Sequence, residues 1–325
     1  MNGEELQLLM PGADGKPPVS IACRFQKPEA GKPAFVWFCG FKSDMGSVKA
    51  SALAEWAKAN GAGVLRFDYS GHGKSGGRFE NGTISAWLGE AAAVCAHALQ
   101  GTPAVFVGSS MGGWIALLLA RQLSQVAPWQ VPPHPVLLPA SSPWRACNSV
   151  WPHPQADAAG RRDAMTLAED SSRVLSPLVE RDRVRGDSQP GNRAFNLKGI
   201  VLIAPAWDMT RLFWDRAAPE AREAILRDGV YYRPSTYGGE PHAITKAMID
   251  DGERHLFGDG PIPLSAPVRI LHGCQDPDIP WQRSLTLLGR AACPDTRLTL
   301  IKDGEHRLSR PQDLALLFST LAEFL

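Results

Sequence analysis

Short apolar runs alternate along this chain with longer stretches in which apolar positions recur every three or four residues. That is the pattern of a mostly parallel sheet covered by helices on both faces, an α/β class of fold. The runs Val19–Phe25, Ala34–Cys39, Gly63–Phe67, Ala104–Gly108, Gly199–Ile203, Val268–His272 and Arg297–Ile301 predict strands. Between them, Ser47–Asn60, Thr83–Leu99, Met111–Leu123, Trp281–Ala292 and Pro311–Leu325 predict helices. Ser309 can cap the last of these, and Pro311 falls in its first turn, where a missing N–H costs nothing.

The alternation fails twice. The stretch 124–196 carries ten prolines, three tryptophans (Trp129, Trp144, Trp151) and many arginines without a clear strand. It reads as a Pro/Arg-rich insertion, with a helix around Arg161–Asp182, and as either an ordered lobe or a disordered excursion. The stretch 206–263 is rich in Trp, Tyr and Phe and contains the helix-forming segments Pro219–Arg227 and Ala243–Asp250, so it predicts a cap over a pocket. The expected organisation is one core built from 1–123 and 197–325, with 206–263 as its cap and 124–196 inserted.

A nucleophile stands out. Ala104–Gly108 is a buried-strand pattern, Ser109–Gly113 a turn of small residues, and Trp114–Ala120 an apolar helix, so Gly108-Ser109-Ser110-Met111-Gly112 sits where a G-x-S-x-G match carries meaning. A side chain held at the top of such a turn is under steric compression, and the residues two before and two after it must be tiny. Gly108 and Gly112 meet that requirement for Ser110; around Ser109 the same positions are Val107 and Met111.

In sheets of this kind an acid and then a base follow the nucleophile along the chain, on loops after late strands. Asp276 lies just past the strand ending at His272 and is the expected acid; Asp278, and more weakly Asp208, are rivals. His306 follows the last strand and is the expected base. His72, in a Gly-rich turn, and His272, beside the acid loop, read as structural; His242 and His255 fall in the cap with no assigned chemistry. The oxyanion of an acyl-transfer intermediate needs two backbone donors, expected from Met111 and Phe41. Trp207, Phe213, Trp214 and Tyr231 are the candidates for an apolar pocket.

Composition narrows the class. A hydrophobic fraction of 44% and a net charge of +1 fit a globular protein whose main partner is neither nucleic acid nor an acidic membrane. Its six cysteines stand singly and read as reduced thiols, and no Cys/His spacing suggests a metal; no cofactor is expected. No apolar stretch reaches the ~20 residues of a membrane span. The N-terminus has neither a cationic region followed by an apolar run nor the arginines of a transit peptide, so the expected location is cytoplasmic.

With these pieces in place, Gly40-Phe41-Lys42-Ser43-Asp44-Met45, Arg66-Phe67-Asp68-Tyr69-Ser70-Gly71-His72-Gly73, Gly108–Trp114 and His306-Arg307-Leu308-Ser309 resemble the palmitoyl-protein thioesterase and acyl-glucuronide esterase branch of the α/β-hydrolases. The resemblance covers about 15–120 and 198–325. It implies the α/β-hydrolase fold, a triad mapping onto Ser110, Asp276 and His306, and hydrolysis of acyl esters and thioesters, protein-linked palmitoyl groups and acyl glucuronides included. The insertion at 124–196 departs from the compact members. Two other readings stay open: a non-catalytic protein of this fold that binds a ligand or partner, and a lyase or haloperoxidase built on it. Acyl-chain length and oligomeric state are not encoded in any motif.

Overall fold

Ala34–Phe38, Ala104–Ser109 and Val268–Gly273 are buried at every position, which a strand achieves only when both faces of its sheet are covered. The computed structural model describes residues 4–10, 18–126, 196–235, 238 and 240–325. Of the insertion expected at 124–196, residues 124–126 continue the helix Met111–Val126, and 127–195, with the expected helix around Arg161–Asp182, lie outside the described set.

The core elements run in the order β1 (Glu4–Met10), β2 (Val19–Gln26), β3 (Ala34–Phe38), α1 (Val48–Ala59), β4 (Gly63–Phe67), α2 (Ile84–Leu99), β5 (Ala104–Ser109), α3 (Met111–Val126) and β6 (Leu197–Ile203). The segment 206–263 supplies α4 (Met209–Arg216), α5 (Pro219–Asp228), β7 (Val230–Arg233), β8 (His242–Thr245) and α6 (Lys246–Glu253), and after it come β9 (Val268–Gly273), α7 (Gln282–Arg290), β10 (Thr296–Ile301) and α8 (Pro311–Ala322). The sheet has eight strands in the order β1-β2-β4-β3-β5-β6-β9-β10. Pairing is parallel from β4 to β10 and antiparallel where β2 meets β1 and β4. β1 lies beyond the expected strands. Its Glu-Glu-Leu-Gln start hides the alternation, and the ladder to β2, from Glu4 opposite Phe25 to Met10 opposite Val19, holds it at the edge.

The helices form because each presents an apolar stripe to this sheet. α2 buries Ile84, Trp87, Leu88, Ala91 and Val94, and the Thr83 hydroxyl caps it by accepting the Ala86 N–H at 3.2 Å. Trp56 of α1 stacks on Phe318 of α8 with ring centroids 5.6 Å apart. α8 starts one residue later than Ser309 would have it. Arg310 is the N-cap, its N–H donates to the Asp313 carboxylate at 3.0 Å, and the Ser309 hydroxyl turns back to the Arg307 carbonyl.

The segment expected as a cap folds as α4 (Met209–Arg216), α5 (Pro219–Asp228), a hairpin of β7 (Val230–Arg233) and β8 (His242–Thr245), and α6 (Lys246–Glu253). The expected helix over Ala243–Asp250 is corrected at its start. Ala243, Ile244 and Thr245 pair with Tyr232, Tyr231 and Val230, because β-branched residues opposite aromatics favour a hairpin. The helix then begins at Lys246, where the Thr245 hydroxyl accepts the Met248 N–H. Asp251 of α6 ties this segment to the core by accepting both the N–H and the hydroxyl of Ser85 at 2.7 Å, at the positive end of α2. The five described cysteines are free thiols. No described helix is long and apolar enough to cross a membrane.

Candidate active site

The turn between β5 and α3 holds Ser110 in the left-handed region at φ +53°, a conformation a non-glycine residue keeps only when its surroundings enforce it. Three backbone bonds do so: Ser110 N–H donates to Ile203, and the Ser110 carbonyl accepts from Gly113 and Ala206. The tiny residues required on either side are explained by close approach. A Cβ on Gly108 would lie 2.6 Å from the Gly112 carbonyl oxygen, and one on Gly112 would overlap the Phe38 carbonyl oxygen and sit 2.5 Å from that of Cys39.

The structure brings three sequence-predicted residues into one hydrogen-bonded chain. Ser110 Oγ donates to His306 Nε2 at 3.0 Å, and His306 Nδ1 donates to Asp276 Oδ2 at 2.7 Å. The other carboxylate oxygen of Asp276 accepts the backbone N–H groups of Asp278 and Ile279 at 2.9 and 2.8 Å. Burial pushes this carboxyl up, but the hydrogen bonds from His272 and His306, the His306 charge and the Ile279 N–H outweigh it and hold it well below the usual carboxylate range. Asp276, Asp278 and His306 have donor atoms within 4.8 Å of one another, the one such cluster among the described residues. Both His306 nitrogens and both Asp276 oxygens are already engaged in the bonds above.

The rival acids have contacts of their own. Asp278 lines the cavity, and its backbone carbonyl accepts from Arg216. Asp208 accepts the Phe257 N–H at 3.2 Å, and burial raises its carboxyl to about 6 against the pull of Arg283, Arg290 and Arg121. A raised carboxyl favours the protonated folded state, so its stability contribution is full below the unfolded value near 3.9 and is lost as pH rises through 6. Asp208→Asn keeps the acceptor and suits the left-handed φ of +54°. We expect it to raise the urea midpoint at pH 8 and to change nothing at pH 3.5; equal gains at both values would contradict the raised carboxyl.

Phe41 follows Gly40 in the turn after β3, and a Cβ on Gly40 would come within 3.3 Å of Ser110 Cβ, so this turn lies against the serine. Met111 is the first residue of α3 and fully buried. His72 holds the turn: its Nε2 accepts the Lys42 N–H at 3.3 Å and its Nδ1 donates to the Ser70 carbonyl at 3.1 Å. Burial pushes His72 down to about 4, which keeps Nε2 free to accept. Asp68 adds a second link by accepting the Met45 N–H at 2.6 Å and the Lys74 N–H at 2.8 Å.

Ser110 and His306 open on a cavity of about 860 Å³, roofed by residues of the cap segment. Phe213 and Tyr231 line it. Trp207 and Trp214, expected to do the same, do not. The Trp207 ring carries the guanidinium groups of Arg283 and Arg290 at 4.2 and 5.3 Å, with its N–H on the Arg283 carbonyl. Trp214 carries Arg222 at 5.8 Å. Stacking against cations uses the faces a substrate would need. His242 lines the cavity with its ring 5.9 Å from that of Phe41, whereas His255 is occupied by the Ser85 hydroxyl.

Lys49 carried no signal in the sequence. It lines the cavity from α1 and donates to the Arg307 carbonyl and to Ser309 Oγ, fastening the loop that bears His306. Burial and the Arg307 charge push its ammonium down to about 8.

Among known proteins, a family model described as serine aminopeptidase, S33, matches residues 31–150. The mitochondrial palmitoyl-protein thioesterase ABHD10 of Mus musculus is 26% identical over 294 residues, covering 90% of this chain and 75% of the relative. A solved structure described as a hydrolase, from Agrobacterium vitis S4, is 32% identical, covers 99% of this chain and 98% of its own, and superposes with a TM-score of 0.74. The mouse alpha/beta hydrolase domain-containing protein 10 superposes with a TM-score of 0.67 at 24% identity over 99% of this chain and 98% of its own.

Proposed function

The chain belongs to the α/β-hydrolase family, and from that membership we propose that it is a serine hydrolase cleaving acyl esters or thioesters through an acyl-enzyme. The observation that carries the reading is the unbroken chain from Ser110 Oγ through His306 to Asp276, opening on the cavity. His306 Nε2 takes the Ser110 proton as Oγ attacks the acyl carbon, and Asp276 steadies the imidazolium that results. The backbone N–H groups of Phe41 and Met111 receive the oxyanion. Collapse breaks the bond to the alcohol or thiol, which leaves with the proton from His306. Water, deprotonated by the same nitrogen, then releases the acid and restores Ser110.

The lining supports an acyl donor with two unlike ends. Met209, Leu212, Phe213, Ile244 and Met248 offer an apolar seat. Lys42, Lys49, Arg216, Arg233 and Arg307 face the same space against a single carboxylate, Asp278. Arg233 Nε, His242 Nδ1 and Thr210 Oγ1, on residues of this lining, are buried with no hydrogen-bond partner among the described residues. The palmitoyl-thioesterase names of the relatives agree with a long acyl chain.

A fluorophosphonate probe is expected to label the protein. A ladder of p-nitrophenyl esters and matched acyl thioesters, acetyl to palmitoyl, is expected to rise in kcat/KM towards long chains. Absence of labelling would favour a binding protein over an enzyme, and a preference confined to acetyl would sink the long-chain reading.

A further inference from the structure

Asp276 Oδ2 accepts from two histidines, and only one of them belongs to the triad. The second, His272, is the penultimate residue of β9 and has no exposed surface. Its Nε2 lies 3.1 Å from Asp276 Oδ2 and 3.1 Å from the Ile279 carbonyl oxygen. Both of those groups can only accept, so Nε2 carries the hydrogen and shares it between them. Nδ1 lies 2.6 Å from the hydroxyl of Ser284, a fully buried residue of α7, which donates to it. The result is a continuous chain of five side chains: Ser284, His272, Asp276, His306 and Ser110.

We propose that His272, oriented by Ser284, is a positioning residue of the reaction. It fixes Asp276 and sets how strongly that carboxylate draws the proton on His306 Nδ1. The proposal rests on reading Ser110, His306 and Asp276 as the catalytic triad. The physical argument is one of geometry and charge. The oxygen that receives His306 is the same oxygen that receives His272, while the other oxygen is pinned by two backbone N–H groups. Removing the His272 N–H leaves the shared oxygen with one donor fewer in a buried site, and its whole demand falls on His306. The imidazolium of His306 is then favoured over the imidazole, and the shared oxygen is no longer held from the β9 side. A side chain that only filled volume beneath β9 would do neither.

The groups facing this chain are few. Asp278 lies with Asp276 and His306 in one cluster, Lys49 of α1 reaches the carbonyl next to His306, Arg307 follows His306 in its loop, and α7 contributes Ser284. The hydrogen bonds to the carboxylate come from His306, His272 and the backbone N–H groups of Asp278 and Ile279.

The test compares His272→Met, of similar bulk without a donor, with His272→Gln, which keeps an N–H at comparable reach. Each is assayed with a p-nitrophenyl ester that wild type hydrolyses. His272→Met is expected to lower kcat about tenfold or more with KM little changed, and to move the acid limb of the kcat/KM profile to higher pH. The sign follows because His306 must be neutral to act as base, and a better-stabilised imidazolium deprotonates later. His272→Gln is expected to recover most of kcat and the wild-type limb. If His272→Met folds with only a lower Tm and keeps both kcat and the limb, the proposal is overturned and His272 is packing alone. If it does not fold, 15N-histidine NMR of the wild type decides. The proposal requires His272 to be protonated at Nε2, unprotonated at Nδ1, and to shift in step with the titration of His306; the other tautomer, or no response, overturns it. Fluorophosphonate labelling of wild type separates the two readings, since its loss removes the triad itself and its retention isolates the failure to His272.

Discussion

Ser110→Ala is expected to lower kcat by about a million-fold and to abolish the fluorophosphonate adduct while leaving Tm within about a degree of wild type. The fold is spared because what holds residue 110 at φ +53° is backbone: the bonds to Ile203, Gly113 and Ala206 survive the loss of a hydroxyl. Alanine tolerates that conformation no worse than serine does. The chemistry is lost because Ser110 Oγ is the hydroxyl that His306 Nε2 hydrogen-bonds. Residues acting as one unit are non-additive, so adding His306→Ala should cost nothing further. Asp276→Asn alone should cost about 10⁴-fold by presenting an N–H where His306 needs an acceptor. Turnover in Ser110→Ala above about one percent of wild type would show the serine is not the nucleophile.

Gly112→Ala is expected to be among the most damaging methyl additions at the described glycines, with loss of stability above about 4 kcal/mol or failure to fold. The added carbon would overlap the Phe38 carbonyl oxygen and lie 2.5 Å from that of Cys39. Both obstacles are backbone at the end of β3, and that strand is locked between β4 and β5. Neither can rotate aside as a flexible side chain would. Relief requires α3 to lift off the sheet, which displaces Met111 and Ser110 together. Gly229→Ala is the control: its φ of +78° strains any side chain, a burden Gly112 does not carry, but nothing lies within 4 Å of the new carbon, and the cost should be about 1 kcal/mol. Urea denaturation of both variants checks the contrast. A wild-type midpoint for Gly112→Ala would mean that the serine turn is not packed against β3 as described.

The parts of the site legible in the sequence are those fixed by local geometry. The Gly108–Gly112 spacing selects Ser110 over Ser109 because a sharp strand-to-helix turn leaves no room for a Cβ two residues away on either side. Asp276 and His306 were legible because each follows an apolar run, and the carboxyl ends of parallel strands share one edge of the sheet. Phe213 and Tyr231 are at the cavity, but so are Met209, Leu212 and Met248, and nothing in their spacing separates them from Trp207 and Trp214. Aromatic richness marked the segment without marking the face. The rings of Trp207 and Trp214 are taken by arginines, of which Arg283 and Arg290 lie some 80 residues further on. Ala243–Thr245 went to a hairpin rather than a helix because Tyr231 and Tyr232 lay opposite, a partnership across an interval of ten residues or more.

What the sequence by itself determined is therefore the parallel sheet, the turn that presents Ser110, and the order along the chain of Ser110, Asp276 and His306. Period, glycine placement and chain direction are local properties that neighbouring residues enforce on one another. What only the tertiary structure decided is which side chains converge: His272 and Ser284 behind Asp276, Lys49 on the carbonyl beside His306, and the basic wall of the cavity. Those contacts join residues brought together by the closing of the sheet and the packing of α1, α7 and the cap. Their energies depend on distance and burial, which a linear pattern does not carry.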